Sequence, residues 1–204
     1  MELIVLIIIA ALVIYYLNNK PSDKEQISTS HLPDSFIVFD LETTGLDAKN
    51  EEIIEIGAIK FTKGYLNHQT FQVLIKPNRN IPKKITEITG ITQLMVETEG
   101  EPLADALKQF NDFIGDLRLV TFNAEFDMAF LRVAYQKEGL GKIFNPVSCA
   151  LKMAREAWPG RKSYKLESLA IDGGFNDGTS HRALEDAKKA LIVYTAAVAR
   201  LKSI

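Results

Sequence analysis

The sequence predicts an α/β protein, a mixed β-sheet with helices packed on it, behind an apolar N-terminal segment of different character. Three observations lead there. Short apolar, β-rich runs fill the stretch from Phe36 to Ile75. From Leu103 onward the apolar spacing turns helical, with one short strand interposed. Residues Leu3 to Leu17 form a run with no charge, Gly or Pro. Of the 204 residues 47% are hydrophobic and 25% charged, which gives room for one domain with a real core plus a short extra segment. The net charge of −2 means that any grip on a polyanion must come from local basic clusters or bound metal. The lone Cys149 excludes an internal disulfide and is read as packing in an apolar, helix-like stretch.

The N-terminal run is expected to be an uncleaved transmembrane anchor over residues 1–20. Its roughly 15 apolar residues reach about 22 Å as a helix, short of a hydrocarbon core of about 30 Å. Local thinning or the flanking polar residues would meet that mismatch. A signal peptide fits less well, because only Glu2 precedes the run and Tyr-Tyr-Leu-Asn-Asn-Lys stands where small residues would mark cleavage. A buried core helix would alternate with polar residues, and this run does not. Lys20 and Lys24 follow the run and nothing basic precedes it, so the remainder is expected in the cytoplasm, on the inner face of a bacterial inner membrane. Residues 21–35, with Pro21, Pro33 and mostly polar neighbours, read as a linker to a domain at 36–204.

Phe36 to Phe39 reads as a central strand, and Ile53–Phe61 and Phe71–Ile75 as two more joined hairpin-fashion through Gly64 and Asn67. Pro77 to Thr92 reads as loop-rich. Leu103, Leu107, Phe110 and Ile114 share one helical face, followed by a strand over Leu117–Phe122. Three further helices are expected over Ala124–Glu138, Val147–Trp158 and Ala183–Leu201, the last capped by Ser180 or Thr179.

Asp40 and Glu42 close the first strand within Asp-Leu-Glu-Thr-Thr-Gly. Strand positions two apart face the same way, so both carboxylates project to one side, and a hard divalent cation such as Mg²⁺ or Mn²⁺ would relieve their repulsion. On the residues alone, a solvated strand end with two surface acids explains them equally well. Asp127 falls in the first turn of a helix among Phe126, Phe130 and Leu131, where a partner for the helix dipole is the plainer alternative. His181 precedes the last helix and Asp186 sits within it. An imidazole there can accept a proton near neutral pH, although taken alone it reads equally as a surface residue. His31 and His68 have no such setting.

In this order the segments Asp40-Leu-Glu-Thr-Thr-Gly45, Asn123-Ala-Glu-Phe-Asp127 and His181-Arg-Ala-Leu-Glu-Asp-Ala187 resemble the DEDDh 3′→5′ exonucleases, a family that includes proofreading epsilon subunits. The resemblance runs over about residues 36 to 200, and Ile88–Thr92 and Ser163–Leu169 look familial too. It implies a ribonuclease H-like mixed sheet flanked by helices and two catalytic divalent metals. Asp40, Glu42, Asp127 and Asp186 become the metal ligands, and His181 the base that activates water. Thr43 and Thr44 would approach the terminal nucleotide through backbone or hydroxyl groups. Lys83, Lys84, Arg161, Lys162 and Lys165 are candidate phosphate contacts. The implied substrate is a single-stranded 3′ end, DNA in preference to RNA, cut to nucleoside 5′-monophosphates. A non-catalytic nucleic-acid-binding module on the same fold is the alternative. Two departures from many relatives, Phe122 before the second motif and Ser148-Cys149 in place of an Asp-Thr pair, read as packing changes.

Overall fold

A computed structural model describes residues 32–65, 67–175 and 181–201. The expected anchor, most of the linker, and the Ser180 or Thr179 cap lie outside the described residues. Among the described residues no helix is long and apolar enough to cross a membrane. Leu32, on the linker side of the expected boundary, is buried in the core with Phe36 and Tyr194.

Five strands form one sheet in the order β3-β2-β1-β4-β5: β1 (Ser35–Thr43), β2 (Ile53–Thr62), β3 (Gln69–Leu74), β4 (Leu119–Thr121) and β5 (Val147–Cys149). The β1–β2 and β2–β3 pairs are antiparallel, while β1–β4 and β4–β5 are parallel, so the sheet is mixed and β1 is its middle strand. Seven helices follow in the described chain: α1 (Lys83–Thr89), α2 (Gln93–Thr98), α3 (Leu103–Ile114), α4 (Ala124–Lys137), α5 (Ala150–Ala157), α6 (Leu166–Asp172) and α7 (Ala183–Leu201).

The alternation of β1 decides what faces what. Ile37, Phe39 and Leu41 point into one core with Leu107 and Phe110 of α3 and Met128 and Leu131 of α4. Phe36 and Val38 point into the other, against Ala150 and Ala154 of α5 and Ala190, Val193 and Tyr194 of α7. Asp40 and Glu42 continue the second face. The same pleat that buries Phe36 and Val38 under α7 therefore aims both carboxylates at the N-terminal end of that helix.

Two expectations are corrected. Val147–Trp158 is not one helix: Leu119, Val120 and Thr121 pair with Val147, Ser148 and Cys149 as a parallel ladder, so the helix starts only at Ala150. Three residues of edge strand leave no readable period. Pro77–Thr92 is not simply loop, since α1 lies within it and α2 follows directly. Ile85 of α1, Val96 of α2 and the flanking Ile81 and Ile91 pack against Ile54 and Leu74, and packing rather than local propensity holds these short helices. Helix α6 is likewise a single short element within the stretch that the sequence left unassigned.

Candidate active site

Three carboxylates converge at the C-terminal end of β1. Asp40, Glu42 and Asp186 each bring an oxygen within 4.8 Å of the others. Asp127 lies against them in the first turn of α4, only 3% exposed. Its carboxylate accepts from the Thr121 hydroxyl and from the backbone N–H of Leu41, the residue between Asp40 and Glu42. Strand β4 thus fixes Asp127, and β1 ties it to the other acids.

This density of negative charge shifts the acids together. Burial, then Asp127, Glu42 and Asp186, holds the Asp40 carboxyl well above its usual range. Burial and then Asp186 push Glu42 up to about 8, while Arg182 pulls the other way. Burial raises Asp127 to about 7 despite its hydrogen bonds. An all-oxygen donor set that holds protons against its own repulsion fits a hard divalent cation, whose charge would displace those protons.

Helix α7 is docked by β2. Glu55, fully buried and opposite Glu42 in the β1–β2 register, accepts from Arg182 Nη2 at 2.6 Å, from the Ala183 backbone N–H at 2.9 Å and from Gln72 Nε2 at 2.9 Å. It satisfies an N–H at the helix start and neutralises Arg182 there. Lys189 is also buried, with its Nζ 3.1 Å from Asp186 and 3.1 Å from Glu167. Burial draws the Lys189 ammonium down, but these carboxylates outweigh it and leave its pKa raised.

His181 stands apart from the carboxylate group. It is exposed, immediately before α7, with φ of 61° in the left-handed region. Thr43 and Thr44 are buried and their hydroxyls shape the loop after β1: Thr43 donates to the Gly45 carbonyl at 2.6 Å and Thr44 to Glu51 at 2.6 Å. Arg161 donates to Asp172 and to the Ser163 carbonyl, and Lys83 pairs with Glu87 at 3.7 Å. Next to the Thr43–Thr44 loop is a cavity of about 430 Å³, lined by Leu46, Asp47, Asn123, Phe126, Ala129 and Phe130. Cys149 stands at the N-cap position of α5 without a side-chain cap, and its thiol donates to the Phe122 backbone carbonyl at 3.3 Å.

The sequence reading missed Glu55, Lys189 and Leu46. Glu55 carried a signal, a lone acid inside the apolar run Ile53–Ile59. Lys189 carried a weaker one, a charge among the small and apolar residues of α7. Leu46, 86% exposed at the cavity rim, carried none.

Comparison with known proteins decides the family. An exonuclease family model matches residues 37–194. The chain belongs to this exonuclease family, and it is a nuclease. The DNA polymerase III subunit epsilon of Aquifex aeolicus is 39% identical over 158 residues, which cover 76% of this chain and 76% of that protein. The PolC-type DNA polymerase III of Clostridium perfringens is 42% identical over 156 residues, 76% of this chain but only 10% of that far longer protein. Among solved structures, the nuclease domain of 3′hExo, a DEDDh family member bound to rAMP, superposes with a TM-score of 0.67 at 24% identity, covering 81% of this chain and 91% of that one. The mixed sheet flanked by helices is the ribonuclease H-like exonuclease fold, and exonucleases of this family depend on divalent metal.

Proposed function

We propose that this exonuclease trims single-stranded 3′ ends, DNA in preference to RNA, and releases nucleoside 5′-monophosphates. The observation that carries the reading is the convergence of Asp40, Glu42 and Asp186, with Asp127 packed against them. In this reading the four carboxylates hold two Mg²⁺ or Mn²⁺ ions. Bound there, the metals stabilise the attacking and leaving oxygens of an in-line displacement at phosphorus.

The chain's own residues supply the rest. His181 takes the proton from the attacking water, for which its exposed imidazole five residues before Asp186 is accessible. The cavity between Leu46 and Phe126 takes the terminal nucleoside, its apolar walls suiting a base, with Thr43 and Thr44 just before its rim in the chain. Thr121 and Leu41 hold Asp127 in place through their hydrogen bonds. We also propose a membrane tether, supported by the uncharged run Leu3–Leu17 and by Lys20 and Lys24 behind it.

The test compares end-labelled single-stranded DNA, single-stranded RNA and duplex DNA with Mg²⁺ and with Mn²⁺. Shortening from a 5′-labelled strand with mononucleotide release supports the reading. Intact substrates in every lane would refute it. Fractionation of the full-length protein tests the tether, and recovery in the soluble fraction removes it.

A further inference from the structure

Lys189 is 1% exposed and lies one turn beyond Asp186 on α7. Burying an ammonium is unfavourable unless close anions compensate, and here two do, at 3.1 Å each. One of them is among the three carboxylates that converge at the candidate metal site. The other, Glu167 on α6, is 44% exposed and reaches in from the rim. Arg182, the other cation near the acids, is turned to Glu55 instead. The Asp186 side of the cluster therefore carries its own fixed cation, anchored from outside the site.

We propose that Lys189 is a positioning residue that stands in for metal charge: it steadies Asp186 beside Asp40 and Glu42 in the metal-free protein and competes with the metal for that carboxylate. The proposal rests on the reading of Asp186 as a metal ligand. Two cations sharing one carboxylate are coupled, and the coupling is reciprocal, so what Lys189 adds to the metal-free fold it subtracts from metal affinity. Glu167 sets the balance by drawing the ammonium partly away from Asp186.

The experiment titrates the chelator-stripped full chain with Mn²⁺ by calorimetry and melts it with and without Mn²⁺. Lys189→Met is expected to bind Mn²⁺ about fivefold or more tightly than the parent. Its melting temperature falls in chelator and recovers in Mn²⁺, and Lys189→Arg behaves like the parent. Equal or weaker affinity in Lys189→Met, or the same loss of melting temperature with and without metal, would overturn the proposal and leave Lys189 a packing residue. Glu167→Gln keeps the test decisive if Lys189→Met does not fold: with the pull of Glu167 on the ammonium removed, Lys189 engages Asp186 more fully, its Mn²⁺ affinity is expected to fall, and unchanged affinity overturns the proposal. Absence of any Mn²⁺ binding by the parent removes the metal reading and this proposal together.

Discussion

Gly57 lies directly opposite Asp40 in the β1–β2 register, and the backbone of Leu184 runs across it where no side chain fits. A Cβ built there would come within 2.1 Å of the Leu184 nitrogen and 2.3 Å of the Ala183 carbonyl carbon. The absence of one methyl group lets the start of α7 settle onto β2, which sets how near Asp186 comes to Asp40. Gly57→Ala is expected to lift the helix start. Overpacking against backbone should destabilise the fold by about 1–3 kcal/mol and weaken nuclease activity more than tenfold. Urea denaturation and end-trimming rates check the two effects, and full activity at parental stability would show that the helix start yields freely.

Stability should depend on pH more steeply without metal than with it. In the metal-free protein Glu42 is raised from 4.5 to about 8 and Asp127 from 3.8 to about 7, so the folded chain holds protons that the unfolded chain has released. Raised carboxyl values contribute stability that is fully present below the unfolded pKa and lost as pH rises through the folded one. The melting temperature in chelator is therefore expected to fall between about pH 4.5 and 8 on account of these groups. Metal binding ejects the protons, so saturating Mn²⁺ should flatten that slope, and calorimetry in buffers of different ionisation heat should register proton release near pH 7. A chelator profile that rises across the same range would contradict this account of the acids.

The fold class was legible in the sequence, and so was the pattern of acids, but only as a set. The two-residue spacing of Asp40 and Glu42 at the end of an apolar strand, and the place of Asp127 in the first turn of a helix, each fitted ordinary surface or dipole-partner acids, and only the order of the three segments singled them out. Helix α7 has a long period of small and apolar residues, and its bounds could be read directly. What stayed hidden depends on contacts distant in sequence. The three-residue β5 exists because Leu119–Thr121 offers it a partner, and α1 and α2 exist because Ile54 and Leu74 give Ile85, Val96 and the flanking Ile81 and Ile91 somewhere to pack. Glu55 reads as an oddity in a strand until Arg182, 127 residues away, is placed beside it.

Charge removal within the cluster should separate activity from stability. Asp40→Asn deletes a charge whose burial and neighbours oppose ionisation. The metal-free variant is expected to melt at or above the parent at pH 8, while its activity falls at least about a hundredfold, the trade expected where a site is strained for function. His181→Ala, on an exposed residue before α7, should leave the melting temperature within about a degree and reduce turnover by about 10²–10⁴. Parallel melts and turnover rates test both. An inactive His181→Ala that has also lost stability would point to a structural role for the left-handed turn instead.

Glu55 ties the N-terminal end of α7 to the sheet, and its loss should be felt at a distance. Glu55→Gln keeps the shape but leaves Arg182 without its carboxylate and weakens the bond to the Ala183 N–H. Complete burial of Glu55 argues for a large penalty, whereas Arg182, 35% exposed, can recover part of it by turning to water. The expected destabilisation is about 2–3 kcal/mol, below that of a fully enclosed ion pair. Because Asp186 and His181 flank the anchored residues, turnover should fall as well, even at temperatures where the variant is fully folded. Double-mutant analysis with Arg182→Ala decides whether the pair acts as a unit: the second substitution should add little once Glu55 is gone. Strict additivity of the two losses would mean that Glu55 and Arg182 support the helix independently.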